Sequence, residues 1–152
     1  MRRMKEYRVR DVTELEEIAK DVVELLVAVV ERNHSSRTAV IALHGDLGSG
    51  KTTFMQVLAR VLGVTETVSS PTFVIMKKYA LQNQIFEKLI HIDAYRIENI
   101  DEMRVLGFSE LLEENGTIIG IEWAEKIAEL LPKETIHIGF EIENDLRNIT
   151  IE

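Results

Sequence analysis

Ala39-Val40-Ile41-Ala42-Leu43-His44-Gly45-Asp46-Leu47-Gly48-Ser49-Gly50-Lys51-Thr52 is the stretch that decides the fold. Its first five residues are apolar, as a strand buried on both faces reads. Gly45 to Thr52 then fit G-x-x-x-x-G-K-[ST] at every fixed position. Beyond them Phe54, Val57, Leu58, Val61 and Leu62 recur at helical spacing, and Gly63 stands where a helix C-cap glycine belongs. Strand, glycine loop and helix are the context that makes this motif a phosphate site. The glycines let the backbone curl so that several N–H groups point into one hollow, and the positive end of the helix faces the same hollow. The nucleotide-binding run expected here is Gly45, Asp46, Leu47, Gly48, Ser49, Gly50, Lys51, Thr52 and Thr53. Within it Lys51 reaches the β- and γ-phosphates, and the Thr52 hydroxyl ligates Mg²⁺.

The 152 residues suit a single domain with a real core, and 45% of them are apolar. The absence of cysteine excludes disulfides, zinc thiolates and thiol catalysis, and a reducing cytoplasm is the expected location. No apolar run approaches the length of a membrane span. A formal net charge of −8 argues against direct nucleic-acid binding, because phosphate contacts dominate that affinity. Neither a membrane nor DNA is an expected partner, and any nucleic-acid role passes through another protein.

Outward from the loop, Glu6 to Arg10 alternates as a short edge strand does. Asp11 or Thr13 caps a long helix with the stripe Leu15, Ile18, Val22, Leu25, Leu26 and Val29, and Thr13 with Glu16 reads as a capping box. That helix is expected to stop near Asn33-His34-Ser35-Ser36. Ser69 to Thr72 is a loop, and Phe73 to Ala80 reads as a strand. A polar turn at Gln82-Asn83-Gln84 returns the chain into Lys88 to Ile92, a β-hairpin. Glu98 to Glu114 is expected to form one or two short helices around Gly107. Thr117 to Ile121 is a further apolar strand, and Ala124 to Leu131 is helical with Pro132 closing it. Ile136–Ile142 and Asn148–Ile151 form a terminal hairpin turning at Asn144-Asp145.

Three short apolar strands thus end at the phosphate loop, at Asp93 and at Glu122. In open α/β sheets ligands bind outside the carboxyl ends of the strands. If these strands are parallel neighbours, two carboxylates converge on the phosphates, where a Mg²⁺ ligand and a water-orienting residue are needed. Asp93, Glu122 and Lys51 are therefore the catalytic candidates. His91 shares a sheet face with Asp93, and a hydrogen-bonded structural role suits it better than a metal pair. Thr72 lies in a loop placed to sense a γ-phosphate or to serve as a turn residue. Trp123 either packs in the core or anchors a partner.

No Asn-Lys-x-Asp guanine-reading motif and no Leu-Ser-Gly-Gly-Gln signature occurs. Past the loop only Arg60, Arg96, Arg104 and Arg147 remain, too widely spaced for the arginine-rich lid of a small-molecule kinase. Taken together, Gly45 to Thr53, Ser70-Pro71-Thr72-Phe73, His91-Ile92-Asp93-Ala94-Tyr95-Arg96 and Ile121-Glu122-Trp123 resemble the TsaE (YjeE) family. These are small bacterial ATPases of tRNA threonylcarbamoyladenosine synthesis. Ser49 and Ala94 depart slightly from the usual residues.

The resemblance spans essentially the whole chain. It implies a P-loop α/β domain with a mixed, mostly parallel sheet flanked by helices and carrying β-hairpins. It implies ATP as nucleotide, Mg²⁺ held by Thr52 and Glu122, and Asp93 as the family's essential aspartate. The implied partner is the TsaB–TsaD pair, with tRNA contacted only indirectly. ATP hydrolysis, slow alone and stimulated by the partner, would support that pair's cycle. The competing expectation is phosphoryl transfer to a small molecule.

Overall fold

The computed structural model describes residues 4–32, 37–82 and 85–152. Its elements in chain order are β1 (Lys5–Val9), α1 (Val12–Arg32), β2 (Thr38–His44), α2 (Lys51–Val61), β3 (Met76–Ala80) and β4 (Lys88–Asp93). There follow α3 (Asp101–Val105), α4 (Phe108–Leu111), β5 (Thr117–Glu122), a 3₁₀ segment (Ala124–Leu130), β6 (Ile136–Glu143) and β7 (Leu146–Ile151). All seven strands form one sheet in the order β1-β7-β6-β2-β5-β4-β3. The four inner strands β6, β2, β5 and β4 run parallel, and the outer pairings are antiparallel.

The sheet is covered on both faces, and its central strands β2, β5 and β4 are buried at almost every position, mostly through apolar residues. In β2, Ile41 and Leu43 face one core cluster with α1 and α2, while Val40 and Ala42 face the other with α3, α4 and the 3₁₀ segment. That alternation is the period-2 geometry of a strand read through a sequence without polar breaks. The stripe expected for α1 holds at Leu15, Ile18, Val22, Leu26 and Val29, all buried, with Leu25 half-buried beside them.

Local details correct three boundaries. The cap of α1 is Asp11, whose carboxylate accepts from the Glu14 N–H at 3.0 Å, while Glu14 accepts from the Arg10 N–H at 2.7 Å. Of the two expected caps it is therefore Asp11, and the capping pair is Asp11 and Glu14, two residues before the Thr13–Glu16 pair that has the same spacing. The strand expected from Phe73 begins only at Met76. Residues 71 to 75 form a turn instead, with the Val74 and Ile75 N–H groups donating to the Pro71 carbonyl at 3.1 and 2.6 Å. Ile75 adopts φ 69, which ends any extended run, and Phe73 is left exposed. The helix after Glu122 is 3₁₀ with a break at Ile127, where φ is −126. The stop of α1 at 33–36 and most of the turn at 82–84 lie outside the described residues.

Other expectations hold. Gly63, with φ 91, closes α2: its N–H reaches the Arg60 carbonyl at 3.0 Å, and the Val64 N–H reaches Ala59 at 2.9 Å. Asn144 and Asp145 both take positive φ, as a two-residue hairpin turn needs.

Gly120 in β5 fixes how closely α2 approaches the sheet. A Cβ there would stand 2.5 Å from Met55 Cε and 2.7 Å from its Sδ. Gly120→Val should destabilise the protein by about 1–3 kcal/mol through overpacking. Adding Met55→Ala should recover part of that loss in thermal melts. Losses that simply add would show that the two side chains do not compete for this space.

Candidate functional site

The register of the parallel strands builds the site. Glu122 pairs with Leu43 on one side and with Asp93 on the other, so β2, β5 and β4 end level. Gly45 follows immediately beyond β2. It adopts φ 150, and a Cβ on it would stand 2.6 Å from both the Phe140 carbonyl oxygen and Ser49 Oγ. Only glycine fits where the chain turns this tightly between β6 and its own loop. The loop then encloses a cavity of about 190 Å³ lined by residues 47 to 53, Ser70, Thr72, Asp93, Glu122, Trp123 and Arg147. The sequence-predicted loop residues Leu47 to Thr53 and the candidates Asp93, Glu122, Thr72 and Trp123 thus share one hollow.

Lys51, His91, Asp93 and Glu122 are each 5% exposed or less. Buried ionisable groups cost free energy unless paired, and each of these has a partner. Glu122 Oε1 accepts from the Thr52 hydroxyl at 2.7 Å, and Glu122 Oε2 lies 2.6 Å from His91 Nε2. Asp93 Oδ2 accepts from the Thr72 hydroxyl at 2.9 Å, and Oδ1 from the Tyr95 N–H at 2.9 Å. Ser70 Oγ lies 2.6 Å from Thr72 Oγ1 and extends this chain. The Lys51 ammonium donates to the Gly45 carbonyl and, at 3.3 Å, to that of Asp46. It also sits 3.8 Å from the centroid of the Trp123 ring, a cation–π contact. Burial lowers the Lys51 pKa, while the carboxylates of Glu122, Glu125, Asp93 and Asp46 pull it back up.

Trp123 is held over Lys51 by its backbone. Its φ of 57 is left-handed, uncommon for a bulky residue. Its ring also packs against Tyr95 at 5.2 Å and is half-buried.

The donor set suits a hard divalent cation. Thr52 Oγ1 and Glu122 Oε1 stand 2.7 Å apart. Neighbouring oxygens of an octahedral Mg²⁺ at 2.0–2.1 Å stand about 2.9 Å apart, so this pair matches two adjacent positions. Water and phosphate oxygens would complete such a sphere, since among the described residues no cluster of three or more His, Cys, Asp or Glu could hold a metal alone. The His91–Asp93 metal pair is not formed; His91 turns to Glu122 instead. That partner was hidden in the sequence, because it depends on the register between β4 and β5. Ser70 and Arg147 also line the hollow without having been expected there.

Comparison with known proteins places the chain. The family model described as "Threonylcarbamoyl adenosine biosynthesis protein TsaE" matches residues 9–149. The chain belongs to the TsaE family. A Bacillus subtilis relative named tRNA threonylcarbamoyladenosine biosynthesis protein TsaE is 44% identical over 112 residues, covering 73% of this chain and 67% of its own. A Rickettsia conorii protein of the same name is 34% identical over 138 residues, covering 90% of this chain and 73% of its own. The crystal structure of Bacillus subtilis YdiB superposes with a TM-score of 0.69 at 32% identity, covering 99% of this chain and 86% of that one. Among the described residues no helix is long and apolar enough to cross a membrane.

The His91–Glu122 pair makes a stability prediction. His91→Leu and Glu122→Ala should each cost about 1–3 kcal/mol, because each leaves a buried polar partner behind. The double variant should cost less than the sum, with a coupling of about 1 kcal/mol or more in denaturant unfolding. Additive costs would mean that the contact does not hold Glu122 in place.

Proposed function

We propose that the chain binds Mg²⁺–ATP at the Gly45–Thr53 loop and hydrolyses it in support of tRNA threonylcarbamoyladenosine formation, acting on a TsaB–TsaD pair. The observation that carries this reading is the placement of two buried carboxylates, Glu122 and Asp93, beside the loop on adjacent parallel strands. Family membership and the printed names of the relatives supply the pathway.

The residues divide the work by position. Loop amides and the start of α2 hold the phosphates, and Lys51 leaves its backbone carbonyls for the β- and γ-oxygens. Thr52 and Glu122 would hold Mg²⁺, which neutralises charge on the phosphates. His91 keeps the Glu122 carboxylate turned toward Thr52. Asp93 is fixed by Thr72 and by the Tyr95 N–H, yet its carboxylate retains lone pairs for water. It orients the water that attacks the γ-phosphorus as the bond to ADP breaks. The acidic balance of the chain fits a protein that leaves tRNA contact to its partners.

Asp93→Asn keeps the shape of the side chain and removes its charge. It should retain ATP binding while lowering partner-stimulated turnover on the order of tenfold or more, at least about 1.4 kcal/mol of transition-state stabilisation. The assay follows inorganic phosphate at saturating ATP with the TsaB–TsaD pair present and the folded fraction checked. Wild-type turnover would remove Asp93 from the chemistry. Transfer of the γ-phosphoryl group to a small molecule in place of phosphate release would favour the phosphotransferase reading.

A further inference from the structure

Arg147 stands apart from the other arginines. It lies in β7, paired with Val9 of β1 and Ile142 of β6, far in sequence from the phosphate loop. Its side chain nevertheless crosses to the loop and lines the same cavity as Lys51 and Glu122. A methyl group on Gly50 would meet Arg147 Nη1 at 2.9 Å, Cζ at 3.4 Å and Cδ at 3.5 Å. The stem and guanidinium therefore rest against the residue that opens α2, and Gly50 leaves the room for them.

Among the described residues the Arg147 side chain makes no hydrogen bond or ion pair. Carboxylates are plentiful in a chain with 26 acidic against 18 basic residues, so a half-buried arginine without one is unexpected. The elements it rests against are also of the wrong sign for it. The start of α2 carries partial positive charge, and Lys51 adds a full one. Asp93 and Glu122 line the same hollow but make no ion pair with Arg147, so its guanidinium is left for an anion that enters there.

We infer that Arg147 is a nucleotide ligand that grips the polyphosphate at its nucleoside end, on the α-phosphate. This rests on the reading of the loop as a nucleotide site. The topology assigns the end. Glu122 and Asp93 come from β5 and β4 on one side of β2, with Thr52 turned toward them, and mark the terminal phosphate. Arg147 enters from the β6–β7 side, opposite them. A polyphosphate lying along the loop, with its terminal group at Thr52 and Glu122, brings its first phosphate to the guanidinium. The planar fork of arginine suits two phosphate oxygens, where a lysine offers only a point charge.

The test is calorimetric titration of Mg²⁺–ATP and Mg²⁺–ADP into wild type, Arg147→Ala, Arg147→Gln and Arg147→Lys, with melting curves alongside. The glutamine variant keeps part of the stem that packs on Gly50, so a loss shared by both neutral variants at an unchanged melting temperature reports the charge. Both should bind ATP and ADP about tenfold more weakly, to the same extent for each nucleotide, with Arg147→Lys intermediate. Unchanged affinity in either neutral variant overturns the inference. A loss for ATP alone also overturns it, since it would put Arg147 at the γ-phosphate. Failure of the wild type to bind either nucleotide would instead overturn the reading of the loop itself, and this inference with it.

Discussion

The level ending of β2, β5 and β4 is the constraint on which the rest of the molecule depends. Parallel pairing in register sets Leu43 against Glu122 and Glu122 against Asp93. A side-chain period of two then decides which face each residue addresses. His91, Asp93, Gly120 and Glu122 all fall on the face that α2 covers. Large side chains there would hold α2 away; Gly120 instead lets Met55 close in and brings Thr52 within a hydrogen bond of Glu122. A slip of one residue between β4 and β5 would turn either the carboxylates or the isoleucines to the wrong face.

Burying four ionisable groups beside one loop is expensive, and the arrangement offsets the cost with local partners. His91 and Thr52 share the two oxygens of Glu122, Thr72 and a backbone N–H share those of Asp93, and Lys51 turns to two carbonyls and an indole face. These are also the contacts that a phosphate would rearrange. Thr72 links the cavity to the 71–75 turn, whose tip presents Phe73 to solvent with the Arg96 guanidinium 4.8 Å from its ring. A change at the phosphates therefore has a short covalent and hydrogen-bonded route to an exposed apolar side chain.

Much of this was legible in the sequence because the informative signals were local. The loop motif, the apolar run of β2, the helical stripe and closing glycine of α2, and the Asn144-Asp145 turn each specify their own structure. The convergence of Asp93 and Glu122 followed from a rule about strand ends and needed only adjacency. The failures were of another kind. Phe73 to Ile75 are good strand formers, yet the turn on Pro71 and the left-handed Ile75 override that propensity. Asp11–Glu14 and Thr13–Glu16 present the same capping spacing, and the choice between them lies in the backbone. The partner of His91 and the reach of Arg147 depend on register and on the path of the last hairpin, which no local pattern encodes.

Under the proposed function Lys51 is a mobile cation that exchanges its resting place for phosphate. Its ammonium lies 3.8 Å from the ring centroid of Trp123, the chain's sole tryptophan, so the indole reports directly on that exchange. The measurement is a titration of Mg²⁺–ATP followed by tryptophan fluorescence, for wild type and for Lys51→Ala. A saturable change in the wild type, absent from Lys51→Ala, is the predicted result. Calorimetric binding of ATP by the wild type with unaltered fluorescence would contradict it, because Lys51 would then have stayed on the indole while the nucleotide bound.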